Sequence, residues 1–207
     1  MTGSSRLKPL DQLFATLDVT VHGVQLPSKT NALMVDTVGF ISDIPTSLIA
    51  SFNATLEDAL LADVLVHVRD MSNPDHVAQD DNVMETLARI DVPQALLDNM
   101  IVVGNKIDLV RPEDWSAIKA DGIVPISCKA GFGIAYLTDL IDKAVIRAQG
   151  KRKVVVKIRM GATQELAWLQ KWTSVTSVDD DGAGHWHVTT LINKMEFNQF
   201  KKAFMNI

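Results

Sequence analysis

The sequence predicts an α/β protein: a main domain over residues 1–150 built on a largely parallel sheet, then a small basic α+β module over residues 151–207. Three observations predict it. Short apolar runs alternate with amphipathic helical stretches from Asn31 onward, the pattern of β-α units around a parallel sheet. Each apolar run ends in polar residues. Gly150 and the Lys151-Arg152-Lys153 run close the last helical stretch of the main domain and mark a boundary.

The strands come first. Residues 32–35 (Ala-Leu-Met-Val) end in Asp36, 64–68 (Val-Leu-Val-His-Val) end at Arg69 and Asp70, 100–103 (Met-Ile-Val-Val) end in Gly104 and Asn105, and 123–126 (Ile-Val-Pro-Ile) end in Ser127. Ligands of open α/β sheets bind outside the C-terminal strand ends, so these polar ends are where chemistry is expected. Between the strands, Leu48, Phe52, Leu56 and Leu60 recur every four residues as one helix face, with Thr46 or Ser47 as N-cap. Leu137, Leu140, Ile141, Ala144, Val145 and Ala148 form a second such face.

The tail reads as a strand over 154–160, a helix over 162–171, a strand over 173–178, a turn over 180–184, a strand over 185–191 and a helix over 194–204. That βαββα order suits a ferredoxin-like or split βαβ module whose last helix buries Phe197, Phe200 and Phe204. His185 and His187 share one strand face but have no third ligand nearby, so they are read as surface residues rather than a metal site.

Composition narrows the class. With 207 residues, 47% hydrophobic, 22% charged and a mean hydropathy of +0.11, the chain is of the globular kind and not the disordered or fibrous one. No apolar run approaches the roughly 18 residues of a membrane span, and no membrane partner is expected. The single cysteine, Cys128, excludes an internal disulfide framework and a Cys-based zinc site, and suits a reducing compartment. Charge is uneven: residues 1–150 hold 11 Lys and Arg against 20 Asp and Glu, while 151–207 hold 9 against 5. A basic module beside an acidic domain hints at a polyanion such as RNA, though an ordinary solvated face explains it as well.

Asn105-Lys106-Ile107-Asp108 follows an apolar strand directly. A carboxylate offers two acceptor oxygens, and guanine presents two adjacent donors that adenine lacks, so Asp108 is suited to read guanine. Lys106 can lay its alkyl stem on the base, and Asn105 can brace the neighbouring loop. Asp36-Thr37-Val38-Gly39 also follows a strand; its aspartate is placed to hold Mg²⁺, and the Gly39 N–H can approach a terminal phosphate. Ser127-Cys128-Lys129 follows a third strand and can offer N–H groups to the guanine carbonyl. Three such elements in this order at strand ends point to a guanine-nucleotide site, with GTP or GDP and Mg²⁺ as cofactors. No residues of an ATP-binding alternative would explain 105–108.

With Leu13-Phe14-Ala15-Thr16-Leu17-Asp18, Asp36 to Ile41, Phe52 to Asp58 and His67-Val68-Arg69-Asp70 added, the sequence resembles the HflX family of GTPases. The resemblance implies a Ras-like P-loop GTPase fold for the main domain, and it extends into the basic tail. It implies that Phe14, Ala15, Thr16, Leu17 and Asp18 form a switch segment in which Thr16 meets Mg²⁺ and the terminal phosphate, with Thr20 as a substitute. Asp36 would be the second metal-shell residue and Gly39 the hinge of the second switch. Phe40 stands where Ras-type proteins carry the water-positioning glutamine, so hydrolysis would need another residue or a partner. The resemblance further implies a factor that binds the large ribosomal subunit and its rRNA rather than DNA, splits or recycles ribosomes, and works inside the cell, in the cytoplasm or mitochondria.

One part of the pattern is missing. The sequence contains no G-x-x-x-x-G-K-[ST] cradle, whose N–H groups and lysine neutralise the β and γ phosphates. The chain is therefore expected to be an incomplete GTPase domain lacking the first strand and phosphate loop, a truncated product or alternative isoform that aggregates or stays partly unfolded. Two functions follow as expectations: a GTP-hydrolysing ribosome-associated factor, or a non-catalytic interaction protein with weak or no nucleotide binding. No catalytic residue is assigned.

Overall fold

The computed structural model describes residues 20–37 and 60–205. The helix face of Leu48, Phe52 and Leu56 lies outside the described residues. So do the segment 14–18, the pair Val38 and Gly39, and Phe40. The described architecture is mixed α/β, with separate two- and three-stranded sheets.

Strands β1 (Thr20–Gln25) and β2 (Asn31–Asp36) form a two-stranded sheet. The turn between them closes through Leu26 N–H to the Thr30 carbonyl at 2.9 Å and Lys29 N–H to the Leu26 carbonyl at 2.8 Å, with Lys29 at φ 63°. The run over 32–35 was expected in the main parallel sheet; here it pairs with its sequence neighbour. Closing a loop this short costs little chain entropy, so local pairing wins.

The parallel sheet contains β3 (Val66–Asp70), β4 (Ile101–Asn105) and β5 (Val124–Pro125), in that order. Helices α1 (His76–Arg89) and α2 (Gln94–Asp98) link β3 to β4, and α3 (Trp115–Ala120) precedes β5. Two clusters hold these parts. Val83, Leu87 and Val92 are buried with Leu65 and Met100 against them, and Ile107, Ile118 and Ile123 are buried with Met71, Val102 and Trp115 against them. Strand β3 starts two residues later than the apolar run suggested. Its His67 and Arg69 still fit a strand because both reach Asp80 on α1, at 3.3 and 3.2 Å.

Helix α4 (Ile134–Ala148) leads to the tail, where β6 (Arg152–Arg159), α5 (Thr163–Trp172), β7 (Ser174–Asp180), β8 (His185–Ile192) and α6 (Lys194–Phe204) follow. The sheet is antiparallel in the order β6-β8-β7. Its inner face buries Val156, Ile158 and Val188 against Leu169 and Phe200, with Trp168 5.5 Å from Phe200 between ring centroids. Asn193 and Glu196 cap α6 reciprocally. His185 and His187 stand 3.5 and 4.0 Å from Asp181, and the Lys157 ammonium takes the same carboxylate at 3.0 Å.

By its contacts the chain divides into two compact units, the second of which joins the turn Gln25–Ala32 to the chain from Asp142 onward. Buried Asp142 explains that membership. Its carboxylate accepts Ser28 N–H at 2.9 Å and Ser28 Oγ–H at 2.5 Å.

Candidate functional site

The C-terminal ends of β3, β4 and β5 carry the candidate site, and sheet register brings them together. Asp70 lies opposite Asn105, and the Met71 N–H donates to the Asn105 carbonyl at 3.0 Å. Gly104 has to be glycine here: a Cβ would sit 2.7 Å from Met71 Cγ and 3.0 Å from Ile123 Cγ2. The strand thus delivers Asn105 at its last position, half-buried.

Beyond it the chain turns sharply. Lys106 adopts a left-handed φ of 61°, and Ile107–Leu109 form a single 3₁₀ turn. Ile107 is 1% exposed and packs into the Ile118–Ile123 cluster, while its N–H donates to the Ile126 carbonyl at 3.1 Å. Anchoring Ile107 inward leaves Asp108, its neighbour, exposed. An exposed carboxylate with fixed backbone is available to a ligand's donors.

The third loop follows β5. Ser127 is buried, its N–H donates to the Phe132 carbonyl at 3.0 Å, and its Oγ accepts the Ala130 N–H at 3.0 Å. Cys128 and Lys129 are exposed. The Cys128 N–H donates to Asn105 Oδ1 at 3.1 Å. Gly133, at φ 74°, closes the loop; a Cβ there would lie 2.5 Å from the Pro125 carbonyl oxygen.

Charge at the rim is paired. The Lys106 ammonium sits 2.8 Å from Asp70 Oδ2, and Asp70 Oδ1 accepts Ser72 N–H at 3.0 Å and Ser72 Oγ–H at 2.7 Å. Partial burial pushes the Asp70 carboxyl up, but Lys106 and the two Ser72 donors outweigh it and hold the group below the usual carboxylate range.

The structure therefore joins the loop of Asn105, Lys106 and Ile107 to the loop of Ser127 and Cys128 through the Asn105–Cys128 hydrogen bond, with Asp108 and Lys129 on the same two loops. Asp36 ends β2, which belongs to the separate two-stranded sheet, and Thr37 follows it. Thr20 begins β1 of the same sheet. Phe14, Ala15, Thr16, Leu17, Asp18, Val38 and Gly39 lie outside the described residues. The sequence showed Asp70 as a polar strand end and as part of the His67–Asp70 stretch, but not its hold on Lys106. The available signal was its position, one strand over from the Asn105-Lys106 pair.

The chain is 41% identical over 207 residues to "Putative GTP-binding protein 6" of Homo sapiens, covering 99% of this chain and 39% of that protein. By sequence, the chain is a relative of the HflX GTPases. GTPase HflX of Magnetococcus marinus is 34% identical over 186 residues, covering 88% of this chain and 40% of the bacterial protein. "Putative GTP-binding protein 6" of Xenopus laevis is 40% identical over 208 residues. The chain thus spans about two fifths of the length of the HflX-type relatives it matches. No family model matches it. A solved variant of SsGBP superposes with a TM-score of 0.52 at 22% identity, covering 62% of this chain and 47% of that one, a likeness of fold alone.

Proposed function

We propose that this chain carries the base-recognition half of an HflX-type guanine-nucleotide site. One observation supports this most: Asn105 ties the loop after β4 to the loop after β5 through Cys128, while Asp108 stays exposed beside them. Asp108 accepts the ring N–H and exocyclic amino group of guanine, and the loop after β5 offers the Lys129 N–H to its carbonyl oxygen, the Ser127 and Cys128 N–H groups being taken by the Phe132 carbonyl and Asn105 Oδ1. Lys106 supplies an apolar stem for the ring. These residues bind and orient; none of them moves a proton.

The wider reading is a Ras-like GTPase domain over 1–150, followed by a ferredoxin-like module over 151–207. Strand β3 is an edge of the described sheet and leaves Val66 and Val68 exposed at 36% and 56%, as a sheet that continues past β3 would. Magnesium belongs with the nucleotide's phosphates, because it binds through one or two carboxylates, water and phosphate oxygens. Thr16 and Asp36 are its proposed holders. In the whole protein, GTP hydrolysis would drive splitting or recycling of ribosomes, in the cytoplasm or mitochondria. The exposed β6 positions Lys153, Lys157 and Arg159 suit a polyanion such as large-subunit rRNA.

A second reading is favoured by one fact: Asp36 stands on a different sheet from Asn105. It is a nucleotide-poor interaction module that keeps the base loops and basic tail without hydrolysis. Titration with labelled GTP and GDP, with and without Mg²⁺, separates the two. Micromolar, Mg²⁺-dependent binding with GTP turnover supports the GTPase; millimolar or no binding supports the interaction module.

A further inference from the structure

We propose that Asp70 is a positioning residue of the base site, holding the Lys106 ammonium so that the lysine stem forms a fixed ledge for the purine ring. The inference rests on the guanine-site reading above and adds to it a residue that neither sequence motif contains. Lys106 starts one residue beyond β4, and its ammonium ends 2.8 Å from Asp70 Oδ2 at the end of β3. The methylenes between must therefore bridge two adjacent strand ends.

Both ends of that bridge are held. The Asp70 backbone is fixed by its register with Asn105, and its other oxygen is taken by Ser72 N–H and Oγ–H, so Oδ2 is aimed at the lysine. On the lysine side, the left-handed backbone at φ 61° is sparsely populated by residues other than glycine and persists where its surroundings over-determine it. Buried Ile107 on one side and the Asp70 contact on the other supply that determination. A long flexible side chain ordered before the ligand arrives does not lose its rotamer freedom on binding, so the ledge raises affinity for any purine that stacks on it.

The test is a double-mutant cycle read by titration of the full chain with a fluorescent GDP analogue. Asp70→Asn should weaken binding about tenfold, the size of one lysine's lost side-chain freedom, and Asp70→Glu should regain part of it. In a Lys106→Met background, Asp70→Asn should cost nothing further. Equal losses with and without Lys106→Met would mean that Asp70 acts through the Ser72 turn alone and would overturn the proposal, as would wild-type affinity in Asp70→Asn. A wild-type chain with no guanine preference fails earlier, at the reading this inference rests on, and takes the inference with it.

Discussion

Asn105 and Cys128 stand 23 positions apart and are joined by one hydrogen bond, from the Cys128 N–H to the Asn105 side-chain oxygen at 3.1 Å. The bond spans two loops on neighbouring strand ends and ties them together. In Asn105→Ala the exposed Cys128 N–H finds water, and stability should fall by no more than about 1 kcal/mol. Guanine-nucleotide affinity should fall by about tenfold or more, because the loops are no longer held in one arrangement before binding. Chemical denaturation and nucleotide titration of the same variant check the two halves of this statement.

Gly133 and Gly131 both have positive φ, at 74° and 71°, but only Gly133 faces a backbone oxygen where a Cβ would go. Alanine at Gly131 should cost about 1–2 kcal/mol for the left-handed conformation. At Gly133 the same substitution also forces the Pro125 carbonyl away, and should cost about 2–4 kcal/mol. Urea midpoints of the two variants, compared at constant slope, test the difference.

The buried Asp142 carboxylate takes two donors from Ser28. Removing it takes the acceptor from the half-buried Ser28 N–H, while the Ser28 hydroxyl can turn to Thr30 Oγ1 at 2.9 Å, so Asp142→Ala should destabilise by about 1–2 kcal/mol. Asp142→Asn keeps one acceptor and should cost less. Thermal melts that rank the variants the other way would contradict the anchoring role given to this pair.

His67 gives the chain a predicted acid sensitivity. Burial lowers its pKa first and foremost; Asp80 pulls it back up and Arg69 pushes it further down. The groups around it are Asp80 on α1, which stands 3.3 Å from His67 Nδ1, Arg69 on β3, and His76, which contacts Arg69 at 3.3 Å. In the unfolded chain the imidazole binds a proton near pH 6.5, whereas in the folded chain it does so only at lower pH. Between those values the unfolded state holds more protons, so stability is complete above about pH 6.5 and declines as pH falls, by at most about 1.4 kcal/mol per pH unit. Denaturation curves from pH 7.5 to 5 should show this decline, and His67→Gln should flatten it.

The strand ends were the most legible part of the sequence. The 100–103 apolar run and its polar end predicted the place where Asn105 sits, because a buried parallel strand needs apolar residues on both faces and its ligand edge does not. The helix over 194–204 was legible from its phenylalanine spacing. Strand β3 was placed two residues early because Arg69 and Asp70 look like a strand end until Arg69 is seen to pair, as His67 does, with Asp80 on α1. Helix α1 was not legible in the sequence, because its larger apolar residues are divided between buried Val83 and Leu87 and exposed Val77 and Met84. Contacts between distant segments, such as Ser28 with Asp142 or Asp70 with Lys106, leave no periodic trace; they depend on register and topology that one sequence does not display.

Base selectivity tests the central claim most directly. Competition titrations of the chain with GDP, XDP and ADP should show guanine preferred over adenine, and Asp108→Asn should shift the preference toward xanthine, whose acceptor and donor pattern matches an amide. If the wild-type chain binds GDP and ADP alike, or if Asp108→Asn leaves the guanine preference unchanged, then Asp108 does not read the base and the site described here is not a guanine site.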